Sequence, residues 1–206
     1  MKQIIAISVA VTLVFSNPTF ADIQRFSQNP SLQEQGNLIQ MSIEIDASIS
    51  DVWKLVGEEF ENSKVFNVEA ASTYFFEDGG PRVGSRRRTV GTDGTFIDVQ
   101  IFQFSRQNHT VSWEIIDTDL APISFGFSEY RLKSLGPEKT RLTQVSGFQM
   151  ENGLMNAGMR LRFPTILKTE LVGIKEFLET GRQITASTAR KVRNAHKRRI
   201  AVSKNW

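Results

Sequence analysis

A chain of 206 residues with 25 Lys+Arg, 22 Asp+Glu and no cysteine excludes disulfides, zinc–thiolate sites and thiol nucleophiles. Its net charge of +3 conceals an asymmetry: residues 182–206 carry eight cations and no acid, while residues 22–181 carry 16 bases against 22 acids, a balance of about −6. The length suits one domain that relies on its own core, and there is no internal repeat.

Lys2, the apolar run over residues 4–15 and the small residues Thr19 and Ala21 read as an export signal spanning 1–21 and cleaved after Ala21. The run is shorter than the ~20 apolar residues of a membrane-spanning helix, although a retained anchor is the alternative. The expected location is periplasmic or secreted. Residues 22–36, polar and containing Pro30, form a lead-in segment; 37–181 should form the domain, and 182–206 a basic tail.

Residues 37–46 alternate, with Ile39, Met41, Ile43 and Ile45 on one side, and predict a half-buried strand. Ser48 and Asp51 match a capping pattern ahead of a short helix whose apolar face is Val52, Leu55, Val56 and Phe60. A second short helix is expected within 61–71. Strands are predicted at 73–76, 84–90, 95–104, 109–116, 124–132 and 141–148, separated by turn signals such as Asp78-Gly79-Gly80-Pro81 and Gly91-Thr92-Asp93-Gly94. Residues 151–181 then place Leu154, Gly158, Leu161, Leu171, Ile174 and Leu178 at helical spacings, with Gly181 as a stop signal. Pro164 predicts a kink or break near Phe163. One strand, two short helices, six strands and a long helix imply an α+β helix-grip fold, a curved antiparallel sheet of about seven strands wrapped around the C-terminal helix.

Several strands are apolar on both faces, Phe96, Phe102 and Phe104 opposing Ile97, Val99 and Ile101. Residue content alone therefore favours a solid core over a pocket. Alternation sets Arg87 opposite in face to Arg86 and Arg88; the plain alternative is three rim residues pairing with acids such as Asp98. Glu114, inside an apolar strand, is a candidate cavity acid, but it opposes Trp113 in parity, which favours a surface role. Glu129 carries the same ambiguity. His109 and His196 lie in a turn and in the tail and support neither a triad nor a metal site. No phosphate-cradling glycine loop is present, and no cofactor or metal is expected. The tail could attach to an anionic membrane surface or merely solubilise the chain. Nucleic acid would suit its charge but not the export signal, and is not expected as a partner.

The phrase IEIDASISDVWKLV, with its Val52-Trp53 pair, resembles the opening of the START-like superfamily (Bet v 1-like, including polyketide cyclase/dehydrase and lipid-transport proteins). Gly84-Ser85-Arg86-Arg87 followed by Asp93-Gly94, and the closing ILKTELVGIKEFLETG, extend the resemblance over roughly residues 38–181. The resemblance implies a cavity between sheet and helix for a small hydrophobic or lipid-like ligand, reversing the preference for a solid core. It makes Trp113, Phe125, Phe127, Met155, Met159 and Leu171 candidate lining residues, and Arg87 the inward arginine that holds a ligand carbonyl or carboxylate. In enzymatic relatives a glutamate on the next strand accompanies that arginine; here Val99 occupies the position, with Asp98 on the other face. Binding or transport is therefore the leading expectation. The alternatives are a cyclase/dehydrase-like reaction, with Arg87 polarising a carbonyl and Glu114 or Asp98 moving the proton, and a membrane-surface adaptor working through the tail.

Overall fold

The computed structural model describes residues 37–205. The export signal and lead-in segment expected before residue 37 lie outside the described residues. The chain runs β1 (Leu38–Ile45), α1 (Ile49–Trp53), a π-helical turn (Lys54–Glu58), a 3-10 turn (Phe60–Val65), then β2 (Ala70–Phe75), β3 (Arg86–Gly91), β4 (Phe96–Ser105), β5 (Thr110–Thr118), β6 (Ile123–Gly136) and β7 (Lys139–Met150). The long helix α2 (Gly153–Thr180) is followed by α3 (Ala186–His196), a 3-10 turn (Lys197–Arg199) and β8 (Ile200–Asn205). The strands form one antiparallel sheet in the order β2-β3-β4-β5-β6-β7-β1-β8.

Local signals act where the sequence places them. Ser48 caps α1 by accepting the Asp51 N–H at 3.2 Å and donating to the Asp51 carboxylate at 2.6 Å. Asn152 accepts the Met155 N–H at 2.9 Å to start α2, and Gly181, at φ 71°, ends it in the left-handed conformation that glycine tolerates best.

Three expectations change. The sheet has eight strands rather than about seven, because residues 200–205 pair with β1 from Ile43↔Ile200 to Leu38↔Asn205. Without β8, β1 would expose a row of unpaired backbone groups along the sheet edge. Residues 182–205 are consequently part of the folded domain rather than a separate tail. Next, α2 continues through Pro164. The proline lacks a donor for the Arg160 carbonyl, but its ring is buried, and packing holds the helix together on both sides. Finally, Leu154 and Leu161 are 85% and 83% exposed. At about 100° per residue, the ten steps from Leu161 to Leu171 leave the two roughly 80° apart around the axis. The apolar spacings thus belong to two faces rather than one stripe.

The core lies between β1 and the second half of α2. Ile39, Met41, Ile43 and Ile45 are closed off beneath Leu167, Leu171, Val172 and Ile174. Lys175, also buried, donates to the Glu44 carbonyl at 2.8 Å and pairs with Glu179, whose carboxylate accepts the Asp46 N–H at 2.7 Å. This network ties the end of the helix to the end of β1. On the solvent side Glu44 meets Arg141 at 2.7 Å and Lys139 at 2.9 Å, and these partners hold its carboxyl down to about 2.

Gly173 lets α2 approach the backbone of the 3-10 turn, where an added Cβ would overlap the Phe66 carbonyl oxygen. We expect Gly173→Ala to destabilise the fold by about 1–3 kcal/mol, against the ~1 kcal/mol that alanine's helix propensity would add. A urea midpoint equal to or above the parent's would contradict that close approach. Glu44's depressed folded pKa makes its contribution present above about pH 4.5 and fade as pH falls toward about 2. Glu44→Gln should therefore lower the urea midpoint at pH 6, with the gap to the parent closing by about pH 2; a pH-independent gap would locate the effect elsewhere.

Candidate functional site

The first half of α2 stands over a different part of the sheet from the second. Beneath it β6 and β7 present small groups. An added Cβ at Gly126 would come within 2.6 Å of the Ile115 side chain, and Ser128 is hydrogen-bonded to Ser146 at 2.7 Å. Where β1 offers isoleucine and methionine, these positions offer almost no volume, and a cavity of about 580 Å3 remains. Its floor includes Thr89, Ile97, Val99, Trp113 and Ile115; its roof includes Met159, Phe163, Ile166 and Leu167. The flank comes from Ala186, Ala189 and Arg193 of α3. Exposed Leu120, Leu161, Arg162 and Glu69 mark where it opens.

Polar groups converge at one part of this wall. Arg87, buried on β3, donates from Nη1 to the Phe60 carbonyl at 2.6 Å, with its guanidinium carbon 3.7 Å from the Phe60 ring centroid. Burial pushes its pKa down to about 10, which leaves it charged at neutral pH. Its Nε–H is buried without a partner. From α2, Glu170 accepts the Tyr130 hydroxyl at 2.5 Å and the Gln144 amide at 3.1 Å. Burial, and next the Glu170 carboxylate, push the Tyr130 phenol well above its ordinary range, so it stays protonated. Trp113 packs its ring 4.9 Å from both Phe60 and Tyr130. The arrangement can orient a carbonyl or carboxylate against an aromatic floor.

Of the residues singled out in the sequence, Arg87, Trp113, Phe127 and Met159 are brought together at the cavity. Phe125, Met155 and Leu171 are not among its lining. Phe125 packs its ring 5.9 Å from that of Phe127 without itself reaching the cavity. Met155 lies in the first turn of α2, short of the roof. Leu171 is fully buried in the core. Phe127 itself covers Gly147, where a Cβ would overlap its ring.

The proton-carrying candidates lie elsewhere. Asp98 is held by Arg88 through two hydrogen bonds of 2.6 and 2.7 Å, and Arg86 is likewise paired with Glu77 at 2.6 Å. Glu114 falls between the lining residues Trp113 and Ile115 on the opposite face; partial burial raises its pKa. Glu129 bonds Ser112 at 2.8 Å and pairs with Arg131 outside the cavity. The inward carboxylate is Glu170, which is not among the candidates drawn from the sequence. Its signal was available: it follows Phe163 by seven positions and Ile166 by four, and so shares their face. For the opposed apolar sets on β4, Ile97 and Val99 face the cavity. A register shift between Ile101 and Gln103 then turns Phe104 inward against Trp53, 5.4 Å away. Among the described residues no three histidine, aspartate or glutamate side chains come together to hold a metal.

A second depression, of about 450 Å3, lies where Asp46, Asp51, Lys54, Glu59 and Glu138 meet near the end of α2. It is an open, charged surface with none of this convergence.

Residues 38–179 match the family described as polyketide cyclase/dehydrase and lipid transport. Among solved structures, XoxI from Bacillus cereus is similar at a TM-score of 0.58 and 18% identity, over 70% of this chain and 96% of that one. A START superfamily protein from Mycobacterium smegmatis reaches 0.56 and 18%, over 69% and 99%. The di-domain ARO/CYC BexL from the BE-7585A biosynthetic pathway reaches 0.59 and 14%, over 69% of this chain and 46% of its own. At such identities these likenesses show the fold alone. No curated protein matches the chain. The family match covers well over half of the sequence, in the order strand, short helices, meander and closing helix that the structure displays, and the chain belongs to the polyketide cyclase/dehydrase and lipid transport family.

Proposed function

We propose that the protein binds or carries a small hydrophobic or lipid-like molecule in the cavity between the sheet and the first half of α2. The observation that carries this reading is the cavity itself. About 580 Å3 falls within the ~300–1,000 Å3 typical of small-molecule sites, and a mainly apolar wall bears a few convergent polar groups. Arg87, with one unpartnered N–H, suits a ligand carrying a carbonyl or carboxylate. The apolar run at residues 4–15 supports a periplasmic or secreted setting, and the cations of residues 182–206 an anionic membrane surface as a partner.

Two measurements test it. Organic extraction of protein purified without detergent, followed by mass spectrometry, should release a stoichiometric small molecule. In addition, Ser128→Leu, which fills the floor, should weaken binding of a neutral fluorescent probe by at least about tenfold, in keeping with loss of ~1.4 kcal/mol or more of contact, while the protein still unfolds cooperatively. Probe affinity unaffected by that substitution would place binding outside the cavity.

A cyclase/dehydrase-like reaction is the second reading, favoured by the Tyr130–Glu170 pair beside Arg87. Arg87 would polarise a carbonyl, and Glu170, rather than Glu114 or Asp98, would move the proton. On this reading the ligand extracted from Glu170→Gln protein should retain a water that the ligand from the parent has lost. Identical ligands from both proteins would remove Glu170 from any such chemistry.

A further inference from the structure

Helix α3 and β8 lie beyond the stretch that matches the family, yet α3 builds one flank of the cavity. The helix is set firmly. Thr185 and Thr188 form a capping box at its start, Ile184 and Ala189 are buried, and Arg182 meets Glu176 of α2 at 3.1 Å. Its cavity-facing residues, Ala186, Ala189 and Arg193, recur at helical spacing, so a single face is turned to the site. Two of the three are alanines that keep the passage wide; the third is a half-buried arginine.

Arg193 donates from Nη1 to the Thr169 hydroxyl at 2.7 Å. Thr169 is buried and passes its own proton to the Thr165 carbonyl at 2.7 Å, so it accepts from Arg193 with its lone pairs free for that purpose. One bond satisfies one of the five guanidinium donors. Among the described residues no carboxylate forms a salt bridge with Arg193, and Arg162, which also lines the opening, has none either. The inward carboxylate of Glu170 is already engaged by Tyr130 and Gln144. Glu69 lines the same opening but forms no salt bridge with either arginine, so two cations border a mainly apolar cavity with no ion-pair partner among the described residues.

Resting on the ligand-binding reading above, we infer that the C-terminal extension is a head-group clamp: Arg193, with Arg162, holds the anionic head of an amphiphile such as a fatty acid or alkyl phosphate, whose apolar chain runs inward toward Trp113. The Thr169 bond fixes the guanidinium plane in advance, so less side-chain freedom is lost when the head docks. Charge-assisted hydrogen bonds of this kind contribute about 1.5–3 kcal/mol, enough for a preference of tenfold or more.

The test uses the intact chain and three probes of one chain length, decanoate, decyl phosphate and decan-1-ol, each competing against a neutral fluorescent probe. The parent should bind one or both anions at least about tenfold more tightly than the alcohol, and the preference should shrink as salt rises from about 0.05 to 0.5 M. Decanoate alone, decyl phosphate alone or both being preferred identifies the head group. Arg193→Met should remove most of the preference while leaving the alcohol within about twofold, and Arg193→Lys should restore part of it. Arg193 also tethers α3, so Thr169→Val serves as the control. It cuts the tether but keeps the charge, and should retain a preference of at least about fivefold. Equal binding of anions and alcohol by the parent overturns the clamp while leaving the cavity reading intact. A preference that survives Arg193→Met but disappears in Arg87→Met puts the head at the inner wall and also overturns it. Failure of all three probes to enter overturns the cavity reading and the clamp together.

Discussion

Everything in this molecule depends on how one helix is held at one end. Leu167, Leu171, Val172 and Ile174 sink into the face of β1, and Lys175 and Glu179 lock the helix end to the Glu44 and Asp46 backbone. Each large aliphatic side chain closed off there contributes about 1.5–3 kcal/mol, and the buried ammonium is tolerated because it has both a carbonyl and a carboxylate. That anchoring allows the first half of α2 to project over β6 and β7 without filling the space beneath. Small residues at Gly126, Ser128 and Ser146 would be costly voids under a core helix. Here the second half of the helix bears the stability, and the first half is released to roof a cavity.

The buried arginine shows the same division across one strand. Arg86 and Arg88 face outward and are matched by Glu77 and Asp98. Between them Arg87 turns into the wall, where no carboxylate bonds it and its solvation comes from the Phe60 carbonyl and ring. Burial lowers its pKa to about 10, the direction expected for a cation deprived of water. A methionine or leucine of similar length would relieve that cost if stability were the only demand. Retaining a charge with an unused donor beside Trp113 and Tyr130 makes sense when a ligand supplies the missing acceptor.

The fold was legible in the sequence because its signals are local and repeated. Period-two alternation over β1 and β5, Asp-Gly turn chemistry, Ser48 before α1 and Gly181 after α2 each act at short range. The site was less legible, since it depends on where strand faces and a helix face meet. Arg87 could be set apart from its neighbours by alternation alone, but the β4 register shift reverses parity midway along the strand. Glu170 was hidden because α2 changes its buried face along its length, so a single apolar stripe from Leu154 to Leu178 describes the second half and leaves Leu154 and Leu161 exposed in the first. The helix is not broken at Pro164 for a related reason: a missing hydrogen bond is weighed against packing that only the tertiary structure supplies.

The charge asymmetry of the chain takes on a different meaning once residues 182–205 are seen folded. A basic segment following an acidic domain suggests a detachable tail, but two of its cations, with His196, make contacts to α2. Arg182 and His196 approach the same Glu176 carboxylate, at 3.1 and 3.6 Å, and Arg193 reaches Thr169. β8 then closes the edge of β1, the strand on which α2 depends. The extension is therefore fastened to both halves of the anchoring contact, strand and helix, and cannot leave without exposing the edge of one and a flank of the other. An element secured in this way has a fixed orientation, and it is that orientation which brings Ala186, Ala189 and Arg193, rather than the neighbouring Arg190 and Lys191, to the cavity. Which cation of α3 reaches the cavity follows from helical phase, with the capping box at Thr185 fixing where the helix starts, while its sign follows from a segment that holds no acid.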